Sequence, residues 1–241
     1  MVKPYLSVVI PAFNEELRII QTLDYSLNYL KNQNYPFEII VVNDGSIDKT
    51  KEVVQNFINN NSNYNLKIIG YDKNRGKGYA VNYGMTRALG KIVLFMDADN
   101  STKINEVEKA FKKIDEGFDI VIASRKLKES KIIVYQSLMR RILGNIFPIL
   151  VKILFNLNLT DTQAGFKVFK KETLIIFQEQ KIFDFAFDVE LLVIAKKHNF
   201  KIAEIPIVWE NQKFSKVKFS STFKMFFSLL KIKFNNLNSL K

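Results

Sequence analysis

The segment KIVLFMDADNS, residues 91–101, decides the fold predicted for this chain. Its first six residues form an apolar run typical of a buried strand, and Asp97 and Asp99 follow where that strand ends. Two carboxylates this close in sequence repel each other unless they share a cation. Oxygen ligands of this kind suit Mg²⁺ or Mn²⁺, which are often held by one or two carboxylates and substrate phosphates. A polar turn is the alternative interpretation, since Asp and Asn are common turn residues.

Strand and helix patterns alternate around this segment. Val107, Ala110, Phe111 and Ile114, for example, recur at helical spacing. Such alternation predicts an α/β fold, with a mostly parallel sheet flanked by helices in a single domain. Strands are predicted at residues 6–10, 37–43, 66–71, 91–96 and 119–124, with helices between them that include residues 17–30 and a helix ending near residue 57.

The second half of the chain has a different pattern. Residues 134–157 are strongly apolar with a helical period that is expected to break at Pro148. This segment could form a pair of core helices or a membrane-facing groove. A further helix is predicted near residues 188–197, and KIAEIPIVW (residues 201–209) is predicted as one strand.

No composition shift marks a linker before residue 210. We therefore predict a domain over residues 1–210, with a nucleotide-sugar half (1–125) and an acceptor half (126–210). Residues 211–241 are predicted to form a basic, aromatic, helical segment.

Composition excludes several kinds of chemistry. The 241 residues are 47% hydrophobic, which is enough for a large core, and they contain no cysteine. Disulfides, thiolate metal sites and a cysteine nucleophile are thereby excluded. The single histidine, His198, lies in the polar run KKHNF and is expected at a solvated helix end. Neither a signal peptide nor a transmembrane helix is predicted, so we expect a cytoplasmic protein.

The net charge of +12 favours an anionic partner. No acidic residue follows Glu210, whereas seven Lys and six Phe do. The stretch SSTFKMFFSLLKIKF (residues 220–234) is typical of an amphipathic helix at a membrane surface. A C-terminal helix that packs on the protein core, with its lysines directed outward, remains the alternative.

The polar residues that follow the predicted strands point to one shared site. Ligands of an open α/β sheet bind at the carboxyl ends of its strands, and these residues should therefore converge. They are Asn14, Glu15 and Glu16 after the first strand, Asp44 after the second, Asp97 and Asp99 after the fourth, and Arg125 after the fifth.

The loop NRGKG, residues 74–78, places Arg75 and Lys77 at a helix start, where they could contact a phosphate or a base. It has the spacing of neither a P-loop nor a G-x-G-x-x-G motif. An ordinary polar loop before a helix is the alternative interpretation.

Together these segments resemble the family 2 glycosyltransferases of the GT-A (Rossmann-like) fold. The second half is similar to the dolichyl-phosphate β-glucosyltransferase branch, close to the dolichyl-phosphate mannose synthases. The resemblance rests on VVIPAFNEE (8–16), IIVVNDGSIDKT (39–50), NRGKGYAVNYG (74–84), LFMDADNST (94–102), ASRK (123–126), DTQAGFKVF (161–169), FAFDVELL (185–192) and IAEIPIVW (202–209).

This resemblance implies an inverting transfer of a hexose from a nucleotide sugar to a polyprenyl phosphate, with Mg²⁺ or Mn²⁺. UDP-glucose is the expected donor and GDP-mannose its main rival. The resemblance also assigns the metal to Asp97 and Asp99, and the acceptor side to Asp161, Gln163 and Lys167. The expected nucleotide-sugar residues are Pro11, Ala12, Asn14, Glu15, Asp44, Lys77 and Asp97.

A phosphate acceptor is already ionised at neutral pH and needs orientation more than a strong base. Arg125, with Arg140 or Arg141, could grip that phosphate, since guanidinium forks suit it. Asp188 and Glu190 are candidates for a base or a sugar-hydroxyl contact, or alternatively for helix capping. The expected catalytic residues are Asp97, Asp99, Arg125, Asp188 and Glu190.

Two other functions remain open. The acceptor could be a soluble glycan, or the chain could be a non-enzymatic basic module that binds membrane or nucleic acid. The last leaves the strand-end carboxylates unexplained, and these would repel a nucleic acid backbone. We therefore expect a membrane-surface partner and no nucleic acid, with the protein peripheral on the cytoplasmic face of the membrane.

Overall fold

The structure is a computed structural model that describes residues 2–134, 138–210 and 219–237. Side chains are described for residues 2–133, 147–210 and 225–235. The strands are β1 (Leu6–Ala12), β2 (Phe37–Asp44), β3 (Leu66–Tyr71), β4 (Ile92–Met96), β5 (Ile120–Ser124), β6 (Lys131–Val134), β7 (Phe166–Lys170), β8 (Ile202–Pro206) and β9 (Val208–Glu210). The α-helices are α1 (Ile19–Leu30), α2 (Thr50–Asn60), α3 (Lys77–Met85), α4 (Val107–Asp115), α5 (Leu138–Phe155), α6 (Phe187–Lys197) and α7 (Phe219–Leu237), with 3₁₀ turns at Ile104–Glu106 and Lys171–Phe177.

Seven of the described strands form one sheet in the order β3-β2-β1-β4-β7-β5-β8. All of its pairings are parallel except those of β7, which runs antiparallel to β4 and to β5. The predicted mostly parallel α/β sheet is confirmed. The central position of β7 was not predicted, because FKVFK is a short segment whose pairing partners lie far away in sequence.

The sheet is buried on both faces, as expected for parallel strands covered by helices. One face packs against α1, α2 and α4, and the other packs against α3, α5, α6 and α7. Val107, Ala110 and Ile114 of α4 are buried, and Phe111 packs partly buried beside them. The predicted apolar face of this helix therefore faces the core.

Strand β1 continues through Pro11 to Ala12 and α2 ends at Asn60, two and three residues beyond their predicted ends. Two larger predictions were also wrong. Helix α5 continues through Pro148 rather than ending there, so the proline is accommodated inside the helix. KIAEIPIVW is not a single strand but two, because the chain leaves the main sheet at Ile207. Strand β8 pairs with β5, whereas β9 pairs in parallel with β6 to form a separate two-stranded sheet.

Helix α7 has one buried and one exposed face. Leu229 and Ile232 are buried in the core, while Phe227 and Phe234 are 67% and 65% exposed. The ammonium of Lys233 donates a 2.6 Å hydrogen bond to the carbonyl of Leu154 on α5 and ties the two helices together. The inner face of this segment packs on the core, as the second interpretation predicted, and contact of its outer face with a membrane surface stays a prediction. Within the described residues, no helix has the length and apolarity needed to cross a membrane.

Candidate active site

The carboxyl ends of β1, β2, β4 and β5 lie at one edge of the sheet, because these strands run in the same direction. The register pairs Ala12 with Asn43 and Val9 with Phe95, so the strands end at similar heights. The topology therefore brings the four predicted polar clusters to a common edge, where α/β proteins bind ligands.

Asp97 is the first residue beyond β4, and its carboxylate is paired with Lys77 from the start of α3. The Lys77 ammonium nitrogen lies 2.6 Å from Oδ1 of Asp97. Burial lowers the pKa of Lys77, but the carboxylates of Asp97 and Asp188 raise it by more, and the amine stays charged. The contact brings the NRGKG loop directly onto the acidic segment after β4.

Asp99 lies further along the same loop, where its Oδ1 accepts a 3.0 Å hydrogen bond from the Ser101 amide. Burial and the charge of Asp97 raise the pKa of Asp99 above its usual value. The positive charge of Arg18 acts in the opposite direction, which locates the start of α1 near this carboxylate. Two anions that destabilise each other in this way are suited to a shared cation.

The residues at this point fit a divalent ion. Beside the two carboxylates, the side-chain oxygen of Asn100 is buried without a hydrogen-bond partner, and Asn100 has a positive φ of 57°. Within the described residues, Asp97 and Asp99 belong to no cluster of three or more His, Cys, Asp or Glu side chains. These residues therefore fit an ion that takes its remaining ligands from substrate oxygens, as is usual for Mg²⁺.

Asp44 organises the NRGKG loop. Its buried carboxylate accepts hydrogen bonds from the Tyr71 hydroxyl (2.8 Å) and the Asn74 side-chain amide (2.9 Å). It also accepts bonds from the backbone amides of Arg75 (2.8 Å) and Gly76 (3.1 Å). These four bonds fix the loop that presents Lys77, so the described geometry links Asp44 to the site through this loop.

The loop after β1 is also hydrogen-bonded to the loop after β2. The Asn14 side-chain oxygen accepts a 2.9 Å bond from the Ile47 amide, and the Glu15 amide donates a 2.7 Å bond to Thr50 Oγ1. Glu15 in turn holds Arg18 through two 2.8 Å hydrogen bonds. The predicted residues Pro11 and Ala12 are the last two residues of β1 and are buried at the base of this loop.

Arg125, directly after β5, forms a two-pronged pair with Asp161. Its Nε and Nη2 donate hydrogen bonds of 2.7 and 2.9 Å to the two carboxylate oxygens. Burial would raise the pKa of Asp161, but the charge and hydrogen bonds of Arg125 lower it to about 2. The pair is therefore ionised at neutral pH, and it lies beside Trp209, whose ring centre is 5.5 Å from the guanidinium carbon.

Arg125 is electrostatically coupled to the rest of the site. Burial lowers its pKa, but the carboxylate of Asp161 raises it by more, and those of Asp97 and Asp188 add to this effect. The end of β5 therefore lies within reach of the charges at the end of β4.

A second ion pair, Lys167–Asp188, is fully enclosed beneath the site. The Lys167 ammonium lies 2.5 Å from Asp188 Oδ1 and donates a 2.7 Å bond to the Ala164 carbonyl. Burial raises the pKa of Asp188 and lowers that of Lys167, while their mutual attraction opposes both shifts. Lys167 is inaccessible to solvent, so its described contacts are with the protein.

The remaining predicted residues lie at different distances from this cluster. Glu190 is buried, and its carboxylate accepts bonds from the amides of Lys181 (2.9 Å) and Ile182 (2.7 Å), so in the structure it supports a loop. Gln163 donates a 3.3 Å bond to the Phe185 carbonyl and approaches α7 at Met225. The side chains of Arg140 and Arg141 lie outside the described residues. His198 pairs with Glu179 at the surface, away from the sheet edge.

Sequence reasoning missed two residues at this site, Arg18 and Gly165. Arg18 lies four residues beyond Asn14 and could have been noticed as a cation just past a strand-end loop. Gly165 accepts a 3.0 Å bond from the Asp97 amide through its carbonyl, a contact between segments distant in sequence. No pattern in the local sequence predicts the contact between Gly165 and Asp97.

The seven-stranded sheet and its flanking helices have the GT-A fold of glycosyltransferases. Residues 7–175 match the family described as Glycosyl transferase family 2. The chain belongs to glycosyl transferase family 2 and is a glycosyltransferase.

The curated relatives include dolichyl-phosphate beta-glucosyltransferases. The chain is 39% identical to one from Trichomonas vaginalis, over 95% of this chain and 72% of that protein. It is 36% identical to the one from Homo sapiens, over 88% of this chain and 69% of that protein.

Solved structures share the fold at lower identity. One is glucosyl-3-phosphoglycerate synthase from Mycobacterium tuberculosis in complex with Mn²⁺, UDP and glucosyl-3-phosphoglycerate, with a TM-score of 0.68 and 17% identity over 95% of this chain and 80% of that chain. Another is a mannosyltransferase from Pyrobaculum calidifontis in complex with GDP-mannose and Mn²⁺, with a TM-score of 0.62 and 19% identity over 99% of this chain and 65% of that chain. These similarities show the GT-A fold.

Proposed function

We propose that this chain transfers glucose from UDP-glucose to dolichyl phosphate or a similar polyprenyl phosphate, with inversion at the sugar carbon. The observation that supports the proposal most strongly is the arrangement at the sheet edge. Asp97 and Asp99 form an acidic pair there, with Lys77 on one carboxylate and Arg125 within electrostatic range. The curated relatives named for this reaction provide the choice of sugar and acceptor.

In the proposed reaction, an oxygen of the acceptor phosphate attacks the anomeric carbon of glucose. A new carbon–oxygen bond forms as the bond to the β-phosphate of UDP breaks, and UDP leaves with the electron pair. An ionised phosphate has no proton to lose, so the site needs to position two anions rather than provide a strong base. Lys77 and Arg125 are the cations at the sheet edge that suit this role.

Asp97 and Asp99 are proposed to hold a Mg²⁺ or Mn²⁺ ion. When bound, such an ion neutralises negative charge that develops on the departing diphosphate. The loop fixed by Asp44 supports the nucleotide beside this pair, with Glu15 and Asn14 at its other side. The solved relatives with nucleotide and Mn²⁺ are consistent with this arrangement.

On the acceptor side, we propose that Arg125 contacts the lipid phosphate while Asp161 holds the guanidinium plane in place. Gln163 and the Lys167–Asp188 pair are proposed to support the segment that connects Asp161 to β7. Asp188 is held by Lys167, so we propose a positioning role for it rather than proton transfer.

A membrane surface is the proposed location of the acceptor. The outer faces of α5 and α7 expose apolar side chains beside lysines, a combination typical of helices that lie at a lipid interface. We propose that this face rests on the membrane, with the protein peripheral on the cytoplasmic side. The exposed apolar residues are Ile149, Ile153, Phe226, Phe227, Leu230 and Phe234.

The test is transfer of labelled glucose by the purified chain. The protein is incubated with UDP-[¹⁴C]glucose, Mg²⁺ or Mn²⁺, and dolichyl phosphate in detergent, and label is measured in the organic extract. We expect label in the lipid, at a rate that falls when EDTA is added. Parallel reactions contain GDP-[¹⁴C]mannose in place of UDP-[¹⁴C]glucose, or a soluble glycan in place of dolichyl phosphate. Label that enters lipid only from GDP-mannose would overturn the donor, and label that enters only the soluble glycan would overturn the acceptor.

A further inference from the structure

Lys77 and Asp97 form an ion pair at the point where the proposed divalent ion would bind. The Lys77 ammonium lies 2.6 Å from Asp97 Oδ1, and both side chains are about one third exposed. The Asp97 carboxylate therefore already has a cation of its own in this structure. An incoming ion would compete with Lys77 for the same oxygen.

We propose that the Lys77 ammonium pairs with Asp97 but can leave it, so that binding of the divalent ion to this carboxylate depends on the donor diphosphate. Lys77 occupies Asp97 in the free protein and moves onto the diphosphate when nucleotide and ion bind together. This inference rests on the proposed function, and it specifies how that site is loaded.

The charges around Asp97 support such an exchange. Asp97, Asp99, Asp188 and Asp161 bring four negative charges, while Lys77, Lys167 and Arg125 bring three positive ones. A divalent ion added alone would lie close to the Lys77 ammonium, and the two would repel each other at short range. A diphosphate that arrives with the ion offers Lys77 new anionic oxygens, so the repulsion is offset.

Lys77, unlike Lys167, can move its ammonium from Asp97 to a bound diphosphate. Lys167 is fully buried and is held by both Asp188 and the Ala164 carbonyl. Lys77 is partly exposed, and its four-carbon stem allows the ammonium to move by several ångströms.

The backbone beneath Lys77 is fixed, so the exchange would involve only the side chain. The Gly76 amide is bonded to Asp44 at 3.1 Å, and the Gly78 amide is bonded to the Phe183 carbonyl at 3.1 Å. The lysine stem therefore extends from a rigid point at the first residue of α3.

The experiment measures Mn²⁺ binding from the paramagnetic resonance signal of free Mn²⁺, with and without UDP. Wild type is compared with two neutral variants, Lys77→Met and Lys77→Gln. Lys73→Met, in the same loop region and exposed, is the control that removes the same charge away from Asp97. Circular dichroism checks that each variant is folded.

We expect the two neutral variants to bind Mn²⁺ alone about tenfold more tightly than wild type, because the competing charge is gone. We also expect the factor by which UDP strengthens Mn²⁺ binding to fall about tenfold in these variants. Lys73→Met should match wild type in both measurements.

The proposal is overturned if folded Lys77→Met and Lys77→Gln bind Mn²⁺ alone no more tightly than wild type, or if UDP strengthens their Mn²⁺ binding by the wild-type factor. In that case wild type would still bind UDP and Mn²⁺, and the proposed function would stand. Wild-type protein that binds neither UDP nor Mn²⁺ would instead contradict the proposed function itself.

Discussion

Gly165 leaves room for the carboxylate of Asp97. A Cβ atom at Gly165 would lie 2.0 Å from Oδ2 of Asp97 and 2.6 Å from its Oδ1. Such distances are far shorter than van der Waals contact, so even the smallest side chain would displace the carboxylate. The backbone of Gly165 also accepts the Asp97 amide at 3.0 Å. The segment before β7 therefore determines where the first aspartate of the acidic pair can point.

We expect Gly165→Ala to lower glucosyl transfer by about 100-fold, because a displacement of about 1 Å at a reacting site has effects of this size. The free energy of unfolding should change by less than about 1 kcal/mol, because the partly exposed Asp97 carboxylate can move aside. Transfer of labelled glucose and urea denaturation measure the two effects.

A double-variant comparison tests whether this effect acts through Asp97. If it does, Gly165→Ala should add little further loss of activity in an Asp97→Asn background. A full additional loss in that background would show that the methyl group disturbs another part of the site.

Neutralising Asp99 should separate activity from stability. We expect Asp99→Asn to reduce transfer at least about 100-fold, because the carboxylate can no longer serve the proposed ion. Burial and Asp97 raise the pKa of Asp99, so its charge is unfavourable in the folded protein without metal. The melting temperature measured in EDTA should therefore stay the same or rise.

The matched control is Asp24→Asn, which removes a charge from the exposed surface of α1. It should leave both transfer and melting temperature close to wild type. A large drop in melting temperature for Asp99→Asn in EDTA would contradict the electrostatic interpretation of this residue.

The Arg125–Asp161 pair should contribute stability that depends on pH. The pKa of Asp161 is lowered from 3.8 to about 2 in the folded protein. This lowered pKa contributes about 2 kcal/mol to the free energy of unfolding. The contribution is present in full above the unfolded pKa near 4 and is lost as the pH falls towards 2. Chemical denaturation across that range measures it.

In Asp161→Asn this part of the pH dependence should disappear. At pH 7 the variant should also lose about 3 kcal/mol, because Arg125 then remains partly buried without its carboxylate. Asp72→Asn, in an exposed loop, is the control and should keep the wild-type profile. Identical acid profiles for Asp161→Asn and wild type would show that another group is responsible.

Binding to lipid should depend on the exposed aromatic residues of α7. We expect the double variant Phe227→Ser/Phe234→Ser to bind anionic vesicles at least about tenfold more weakly, because each exposed phenyl ring would be buried in the interface. Co-sedimentation measures this effect. Leu89→Ser removes an exposed apolar side chain elsewhere and should bind like wild type. Unchanged binding of the double variant would contradict the proposed membrane face.

Much of the fold was predictable because its signals are local. Strand β3 was predicted with its observed ends, and α6 within one residue, since apolar runs and helical spacing are read over short windows. The helix break predicted at Pro148 was wrong. Proline disfavours a helix interior because of its local geometry, but α5 continues through this residue. The split between β8 and β9 was missed because both segments are apolar and extended, and only their partner strands differ.

At the site, the sequence by itself determined which chemical groups are available: paired carboxylates after one strand, further polar residues after the others, and cations from Lys77 and Arg125. The rule that parallel strands end at a shared edge was enough to predict their convergence. Only the tertiary structure decided the pairings: Lys77 with Asp97, Asp161 with Arg125, and Lys167 with Asp188. These contacts join segments from about 20 to 36 residues apart in sequence. Ion pairing depends on distance in space and on burial, and neither is encoded in the local pattern of residues.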